Sequence, residues 1–397
     1  MFSKNFKQLL SGTFKMGLLS LCAVLIVQIT ACQAPQPSEN SPTPNLPFVP
    51  VYREKIYLEG YQDWIRLSFS PNSRYLATAS GKGIVRLWQI PTELPYHHQK
   101  KAYTGKPLAV LQGHNNQVSV VNFDPSSQYL VTSDWDGFVR LWNISGDLQW
   151  ASREYRDRIN SADFSPNEKV ILSASYSKGI RLTDWSGKPL ATLQDEDKIF
   201  QAVFSPDGQI IAAASRDGAA RLWNLSGELL ATLEGHSAPV NRVRFSPDGK
   251  FILTSSSDGT ARLWSVAGQF LVAIPAAKGR DHDAQFSPDG QSILTISGDG
   301  HRVSLWSLSG KNLMELPTQE NLITEIGFSP DGKKVVTATD NGIVILWDRA
   351  GQQVSVFSGH QSYISEIAFS PNGQYLATAS HDGTIRLWDL SDIPTRQ

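Results

Sequence analysis

Two sets of residues in the sequence have the types and spacing of a Ser-His-Asp catalytic triad. Each set contains a histidine, a serine, an aspartate and a tryptophan in the same order and at the same spacing: His236, Ser256, Asp258, Trp264 and His360, Ser380, Asp382, Trp388. In a hydrolase, such a histidine takes the proton of the serine hydroxyl and the aspartate orients the histidine. Both sets follow the phase of a longer repeat, however, and no candidate nucleophile stands apart from it. We therefore expect no catalytic residues and predict structural roles for both sets.

Two smaller clusters could suggest a metal or an active site. The pair His97-His98 lies beside Lys100 and Lys101, but adjacent histidines lack a third ligand at a useful spacing. The run 281–283 (DHD) is the one compact group of acids and a histidine, and side chains in a strand alternate between its faces. We predict neither a metal nor a cofactor.

A repeat of about 40 residues positions these side chains. One marker is the leucine of an Arg-Leu-Trp triplet or its variants: Leu87, Leu141, Leu182, Leu222, Leu263, Leu305, Leu346 and Leu387. A second marker is the phenylalanine of Phe-Ser-Pro or Phe-Asp-Pro: Phe69, Phe123, Phe164, Phe204, Phe245, Phe286, Phe328 and Phe369. Both markers occur eight times, which indicates eight structural units.

Each repeat has the pattern of a small antiparallel sheet. In the last copy, three short runs rich in β-branched and aromatic residues, 364–370, 375–380 and 384–389, are separated by turns that contain Gly373 and Gly383. A fourth apolar run precedes the next copy, as in residues 228–233. Such a sheet is apolar on both faces, so it must be buried by stacking against neighbouring copies.

The last copy resembles the WD-repeat β-propellers. Gly359-His360, Ser380, Asp382-Gly383 and Trp388-Asp389 match the signature of one blade of that family, and the resemblance covers about residues 55–390. It implies that the His, Ser or Thr, Asp and Trp of a blade form a buried hydrogen-bonded tetrad. Only the two sets given above are complete. The copy at His114 keeps Asp136 and Trp142 but has Asp134 in the serine position, and we expect the incomplete copies to rely on packing.

We predict an all-β fold, an eight-bladed β-propeller of four-stranded antiparallel blades. A seven-bladed ring would require discarding a copy, and all eight keep both markers. Residues 55–59 (KIYLE) resemble a fourth strand without a blade of its own, whereas the last copy stops after three strands. We therefore expect this N-terminal strand to complete the last blade and close the ring, which removes exposed sheet edges.

The residues before the repeats have the features of an exported lipoprotein. Residues 1–31 begin with three lysines and no acid, continue with a short apolar run, and end in Ile29-Thr30-Ala31 before Cys32. This pattern indicates a signal peptide, and the ending resembles a bacterial lipobox, which implies a lipid on Cys32. The alternatives are an uncleaved signal anchor and an ordinary cleaved signal peptide. Residues 32–50 are a proline-rich tether. The propeller then spans residues 51–397, with a loop insertion at 91–105.

Charge and cysteine content narrow the function. The chain has 36 basic and 37 acidic residues, and without residues 1–31 its net charge is −4. There is no basic stripe for phosphate contacts, so we expect no nucleic acid partner. Only Cys22 and Cys32 are present, so the mature body would have no disulfide.

The side chains best suited to a partner lie at turn and strand-start positions on one predicted rim. They are aromatic or cationic where turns usually have Gly, Asn, Asp or Ser, and such residues dominate interface hot spots: Trp135, Arg158, Tyr176, Lys198, Phe200, Arg216, Tyr363 and His381. We predict a non-catalytic, monomeric scaffold, lipid-anchored at the bacterial cell envelope, that docks a protein or peptide on this rim. The alternative is an exported propeller enzyme with a site at the channel mouth.

Overall fold

The computed structural model describes residues 65–90, 106–167, 169–177, 179–195, 197–277, 284–317, 320–391 and 393. These residues belong to one compact unit, Val49–Gln397, and form 31 strands in eight antiparallel sheets. The described part contains no helix, and hence none long and apolar enough to cross a membrane. The predicted signal peptide, Cys32, the tether, the closing strand 55–59, the insertion 91–105 and the run 281–283 lie outside the described residues.

The sheets are blades 1 to 8 in chain order, and each is built from consecutive strands. Blades 1 and 2 contain β1 Ile65–Phe69, β2 Tyr75–Ser80, β3 Val85–Gln89, β4 Ala109–Leu111, β5 Val118–Phe123, β6 Tyr129–Asp134, β7 Phe138–Asn143 and β8 Leu148–Arg153. Blades 3 and 4 contain β9 Ile159–Phe164, β10 Val170–Ser175, β11 Gly179–Asp184, β12 Pro189–Leu193, β13 Ile199–Phe204, β14 Ile210–Ser215, β15 Ala220–Asn224 and β16 Leu229–Leu233.

Blades 5 and 6 contain β17 Val240–Phe245, β18 Phe251–Ser256, β19 Thr260–Ser265, β20 Phe270–Pro275, β21 Gln285–Phe286, β22 Ser292–Ile296, β23 Val303–Ser307 and β24 Asn312–Glu315. Blades 7 and 8 contain β25 Ile323–Phe328, β26 Lys334–Thr339, β27 Val344–Asp348, β28 Gln353–Phe357, β29 Ile364–Phe369, β30 Tyr375–Ser380 and β31 Ile385–Asp389. The prediction of an all-β, eight-bladed propeller of four-stranded blades is confirmed. Blade 8 has three strands in the described part, and the closing strand stays a prediction.

Burial differs from strand to strand within a blade. In blade 4 the second strand, β14, is buried along almost its whole length, whereas the outer strand β16 starts with two exposed leucines. The second and third strands are therefore the core of each blade, because neighbouring blades cover both of their faces. The first strand of blade 1 alternates between buried and half-buried residues, because one side of the strand meets the core.

The turns between the first and second strands need a left-handed residue. Gly249 and Gly373 have φ of 71° and 72°, as the sequence predicts for these turns. Blades 1 and 2 have no glycine there, and Ser73 and Ser127 adopt φ of 59° and 61° instead. These two serines also make contacts that a glycine could not make. The N–H of Asn72 donates to Ser127 Oγ (3.1 Å) in blade 2.

The first and last blades close the ring through the same kind of contact. The N–H of Asn372 in blade 8 donates to Ser73 Oγ in blade 1 (3.0 Å), which repeats the contact between blades 1 and 2. The N–H of Leu67 donates to Glu366 Oε2 (3.1 Å), and Ile65, Leu67 and blade 8 side chains share one apolar cluster. The ring is therefore continuous across positions 299 residues apart in the chain.

Candidate functional site

The two sets of residues with triad spacing form buried relays that end on a threonine hydroxyl. In blade 5, His236 Nδ1 lies 2.9 Å from Asp258 Oδ2, and its Nε2 lies 2.8 Å from Thr254 Oγ1. The indole N–H of Trp264 donates to the same Thr254 oxygen (2.9 Å). Blade 8 repeats this geometry with its own four residues: Asp382, His360, Thr378 and Trp388. Both histidines are buried, so the relays serve the blade and offer no nucleophile to a substrate.

The two serines assigned to the tetrads lie outside the relays, which corrects the sequence analysis. Ser256 Oγ donates to the carbonyl of Ala238 (3.0 Å) and accepts the N–H of Asp258 (3.1 Å). Ser380 makes the equivalent bonds in blade 8. The reason is position along the strand: Thr254 shares a face with Ser256 but lies two residues nearer the tryptophan, whereas Ser256 ends the strand and fixes the turn.

Blade 2 holds a third relay that the sequence analysis did not predict. His114 lies 2.6 Å from both Asp134 Oδ2 and Thr132 Oγ1, and Trp142 donates to the same threonine (2.8 Å). Asp134, two residues before Asp136, therefore takes the aspartate position of this relay. Arg140 also donates to Asp134 (3.0 Å). The expectation that incomplete copies rely on packing alone is therefore wrong here. The tryptophan–threonine bond also recurs without a described histidine in blades 1, 6 and 7.

Burial and hydrogen bonds together set the charge states of the histidine and the aspartate in these relays. Burial lowers the pKa of His114 and His236, which keeps both rings neutral near pH 7. Burial by itself would raise the pKa of Asp258, but hydrogen bonds from Thr260 and His236 outweigh it and lower the pKa to about 2. The pair is therefore a neutral histidine beside an ionised aspartate.

Blades 3 and 4 replace the histidine with other polar groups. In blade 3, Tyr155 stands in the histidine position and donates from its hydroxyl to the carbonyl of Ser173 (3.0 Å), while Ser173 Oγ donates to Glu154 Oε2 (2.7 Å). In blade 4, Asp195 stands there and pairs with Arg221 (3.0 Å). Blades 3 and 4 are therefore stabilised by different contacts from blades 2, 5 and 8. They also carry most of the predicted docking residues.

The predicted docking residues lie on one rim because two backbone positions are paired there. In blades 2, 3, 4, 5, 7 and 8 the residue after the second strand donates its N–H to the carbonyl of the residue before the first strand. This joins Tyr176 to Arg158 (3.0 Å) and Arg216 to Lys198 (2.9 Å). The two sets of positions that the sequence suggested separately therefore form one surface.

Five of the eight docking residues form a continuous chain of contacts, which we call the rim arc: Trp135, Arg158, Tyr176, Lys198 and Phe200. The guanidinium carbon of Arg158 lies 3.9 Å from the centroid of the Tyr176 ring and 5.7 Å from that of Trp135. Lys198 Nζ lies 4.6 Å from the Tyr176 centroid on the neighbouring blade, and the Phe200 ring is 5.9 Å from Tyr176. Trp135 is 41% exposed at one end of the arc.

The other three docking residues stand apart from this chain of contacts. Arg216 is exposed and joined to the arc through the backbone of Lys198. Tyr363 and His381 pair with each other in blade 8, with ring centroids 5.1 Å apart, and their backbones are joined by one hydrogen bond (2.9 Å). No described contact links that pair to the rim arc.

A cavity of about 420 Å³, which the sequence did not predict, lies at the ends of the first strands opposite the rim arc. The Phe-Ser-Pro ends of first strands line it, together with Asp163 and Arg244. Burial raises the pKa of Asp163 to about 6, although the N–H of Phe164 donates to its carboxylate (2.9 Å). The signal in the sequence is the residue before the phenylalanine of the second marker, which is charged in two of the eight copies, at Asp163 and Arg244. Within the described residues no group of His, Cys, Asp and Glu is arranged to hold a metal ion.

The stacked blades and their relays define a propeller built from WD-type repeats, and family models agree. A model described as IFT122 first beta-propeller matches residues 198–396, half of the chain. A model described as WD domain, G-beta repeat matches residues 53–89, 105–143 and 151–184. The chain belongs to the WD-repeat β-propeller family.

Curated relatives match short parts of the chain. It is 29% identical over 119 residues to the target of rapamycin complex subunit wat1 of Schizosaccharomyces pombe, covering 30% of this chain and 34% of that protein. It is 26% identical over 140 residues to protein HIR1 of Kluyveromyces lactis, and the match covers 30% of this chain and 16% of HIR1. A ribosome biogenesis protein WDR12 homolog of Drosophila persimilis is 29% identical over 122 residues, covering 30% of this chain and 29% of that protein. The chain thus spans about a third or less of these relatives.

Solved structures support the fold alone. The C-terminal WD40 domain of Sif2 superposes with a TM-score of 0.73 at 19% identity, covering 86% of this chain and 99% of that domain. The computationally designed Ika8 protein superposes with a TM-score of 0.70 at 24% identity, covering 85% of this chain and 100% of that chain.

Proposed function

We propose that the protein is a monomeric, non-catalytic scaffold that docks a protein or peptide partner on the rim arc. The observation that carries this proposal is the continuous contact of aromatic and cationic side chains at the turn and strand-start positions of one rim. Trp, Tyr and Arg are the residue types that dominate binding energy at interfaces, and Trp135 presents its ring to solvent. The relays are buried structural elements, so they do not compete with this assignment.

The matched relatives support a scaffold role in a limited way. By name, wat1 is a subunit of a complex and the WDR12 homolog is a ribosome biogenesis protein. Each match covers about a third or less of the relative, so the kind of partner is inferred from the surface of this chain.

We propose further that a lipid on Cys32 holds the protein at the bacterial cell envelope. The support is the run Ile29-Thr30-Ala31-Cys32 after a basic start and a short apolar segment. The relatives named above are eukaryotic, so this part of the proposal rests on the sequence alone. Two or more acyl chains would anchor the protein stably, whereas one chain would not.

Affinity capture tests the docking function. Tagged mature protein incubated with solubilised envelope extract should retain a main partner, and Trp135→Ala with Arg216→Ala should abolish that capture, since truncating hot-spot residues costs about 2 kcal/mol or more, roughly thirtyfold in affinity. The melting curve should barely move, because both side chains are exposed.

The matched control is Lys188→Ala with Leu190→Ala, which removes one exposed cation and one exposed apolar side chain from the outer part of blade 3. This control should keep the partner. A rim variant that captures the partner as well as the wild type would move the docking surface away from the arc.

A further inference from the structure

Two cations of the rim arc and one cation beside it lack a carboxylate partner in the described part of the chain. Within the described residues, no carboxylate forms an ion pair with Arg158, Lys198 or Arg216. The acidic side chains near the arc accept hydrogen bonds from other groups on the same rim. Asp157 accepts hydrogen bonds from the hydroxyls of Ser175 and Ser177. Arg158 and Lys198 therefore lie against the same Tyr176 ring without a carboxylate on either of them in the described part of the chain, which leaves both open to a carboxylate of a ligand.

The acids of blade 4 are also occupied. Arg221 donates to both Asp195 and Asp217, and Asp195 accepts a further bond from Asp197 N–H. Asp197 in turn accepts the backbone N–H of Lys198 (2.8 Å), not its ammonium group. Rearrangement of these acids toward the arc would break bonds that already exist, so the arc cations stay available.

Stacking fixes the position of these charges without cancelling them. Arg158 lies against the face of Tyr176, and its Nε is buried with no hydrogen-bond partner among the described residues. Lys198 lies over the same ring and donates to its hydroxyl (3.4 Å). A guanidinium that stacks on a ring keeps its in-plane N–H donors for a planar acceptor, and carboxylate is the acceptor that matches this geometry.

Apolar surface lies on both sides of the two charges. The exposed Trp135 ring lies beyond Arg158, and the half-buried Phe200 ring lies on the far side of Tyr176. A ligand that reaches the charges therefore also covers aromatic surface, which favours a peptide with an apolar residue beside its acid over a small free anion.

We propose that the rim arc binds an acidic peptide segment, with an Asp or Glu side chain at Arg158 and Lys198 and a neighbouring aromatic or aliphatic residue on Trp135 or Phe200. This inference rests on the proposed docking function and specifies the chemistry of the partner. The ligand carboxylate supplies the ion-pair partner that Arg158 and Lys198 lack among the described residues, and the apolar neighbour covers the exposed indole.

Selection from a random peptide library tests this chemistry without a known partner. Displayed short peptides are selected on the immobilised mature chain, and the enriched peptides should contain Asp or Glu next to an aromatic or aliphatic residue more often than the starting library. For the tightest peptide, replacing that Glu or Asp with Gln or Asn should weaken binding about tenfold, since a charge-assisted hydrogen bond is worth about 1.5 kcal/mol or more. Added salt should weaken the parent peptide more than its amide form.

Charge-removing variants supply the second arm. Arg158→Gln with Lys198→Gln should weaken the parent peptide at least as much as the change in the peptide. Lys188→Gln with Lys311→Gln, two exposed lysines in hairpins on the opposite rim, should leave its affinity unchanged. The peptide change leaves the protein untouched, so the proposal stays testable if the arc variant folds poorly.

The outcomes separate the two levels of the proposal. Enriched peptides without surplus acid, or equal binding of the acid and amide peptides, would overturn acid recognition while leaving docking on the arc in place. Displacement of the parent peptide by inorganic phosphate at concentrations where acetate has no effect would overturn the carboxylate assignment. A library that yields no enriched peptide would count against both the acidic ligand and peptide docking itself.

Discussion

The hydroxyl at the centre of each relay shows what a single residue position contributes. The sequence predicts the histidine, aspartate and tryptophan of blades 5 and 8 because their spacing repeats. It did not distinguish Thr254 from Ser256, since both are small hydroxyl residues on the same face of one strand. Only the strand register, which sets Thr254 nearer the tryptophan, decides which hydroxyl joins the relay.

We expect Thr254→Val to destabilise the protein more than Ser256→Ala. Valine has the shape of threonine but strands two buried partners, His236 and Trp264, and each unsatisfied group costs about 1–3 kcal/mol. Ser256→Ala removes bonds at the strand end, where about 1 kcal/mol is expected. Urea unfolding followed by tryptophan fluorescence measures both. Equal losses would mean that the relay contributes no more than the turn.

At the scale of the element, each blade is predictable and the contacts between blades are less so. The phase of the repeat predicts four strands and their turns because those depend on neighbours in the chain. The seam contact of Glu366 with Leu67, and the third relay at Asp134, depend on side chains that meet only after folding. The arc was predicted as a set of positions, whereas its cation–aromatic contacts required the backbone pairing seen in the structure.

The seam between blades 8 and 1 should respond to pH through Glu366. Burial raises the pKa of this carboxyl to about 7, and Arg66 offsets the rise only in part. The folded state therefore retains a proton that the unfolded state has released, so stability should fall as the pH rises from about 5 to about 8. Glu366→Gln cannot titrate and keeps an oxygen for the N–H of Leu67.

Melting temperatures across that range provide the measurement. The stability of the wild type relative to Glu366→Gln should decrease with rising pH. Glu228→Gln, which removes an exposed carboxylate from a hairpin, serves as the control and should run parallel to the wild type. Parallel curves for Glu366→Gln as well would show that this seam does not titrate.

At the scale of the whole molecule, the sequence predicts the number of blades because eight copies of two markers leave no alternative count. The residues before the propeller carry a separate prediction, since a lipid anchor depends on a short motif and not on packing. The proposed anchor would decide where the rim arc operates, because a protein held at the envelope through Cys32 would meet its partner there.

Mass spectrometry of the membrane fraction tests the anchor directly. The mature chain should begin at Cys32 and carry diacylglycerol on its thiol, whereas Cys32→Ser should give a soluble or unprocessed product. A wild-type protein that still begins at Met1 and carries no lipid would rule the anchor out. Deletion of residues 33–50 serves as a control, because it removes the tether after Cys32 and should leave lipidation intact.

The rim arc also breaks the near-eightfold symmetry of the ring, and this has a consequence for stoichiometry. The closing seam repeats the contact between blades 1 and 2, so the first and last blades meet there as neighbouring blades do. The sequence of Trp135, Arg158 and Tyr176 on adjoining turns occurs once. We therefore expect one ring to bind one partner at the arc. Every bound partner should then have the same orientation relative to the ring.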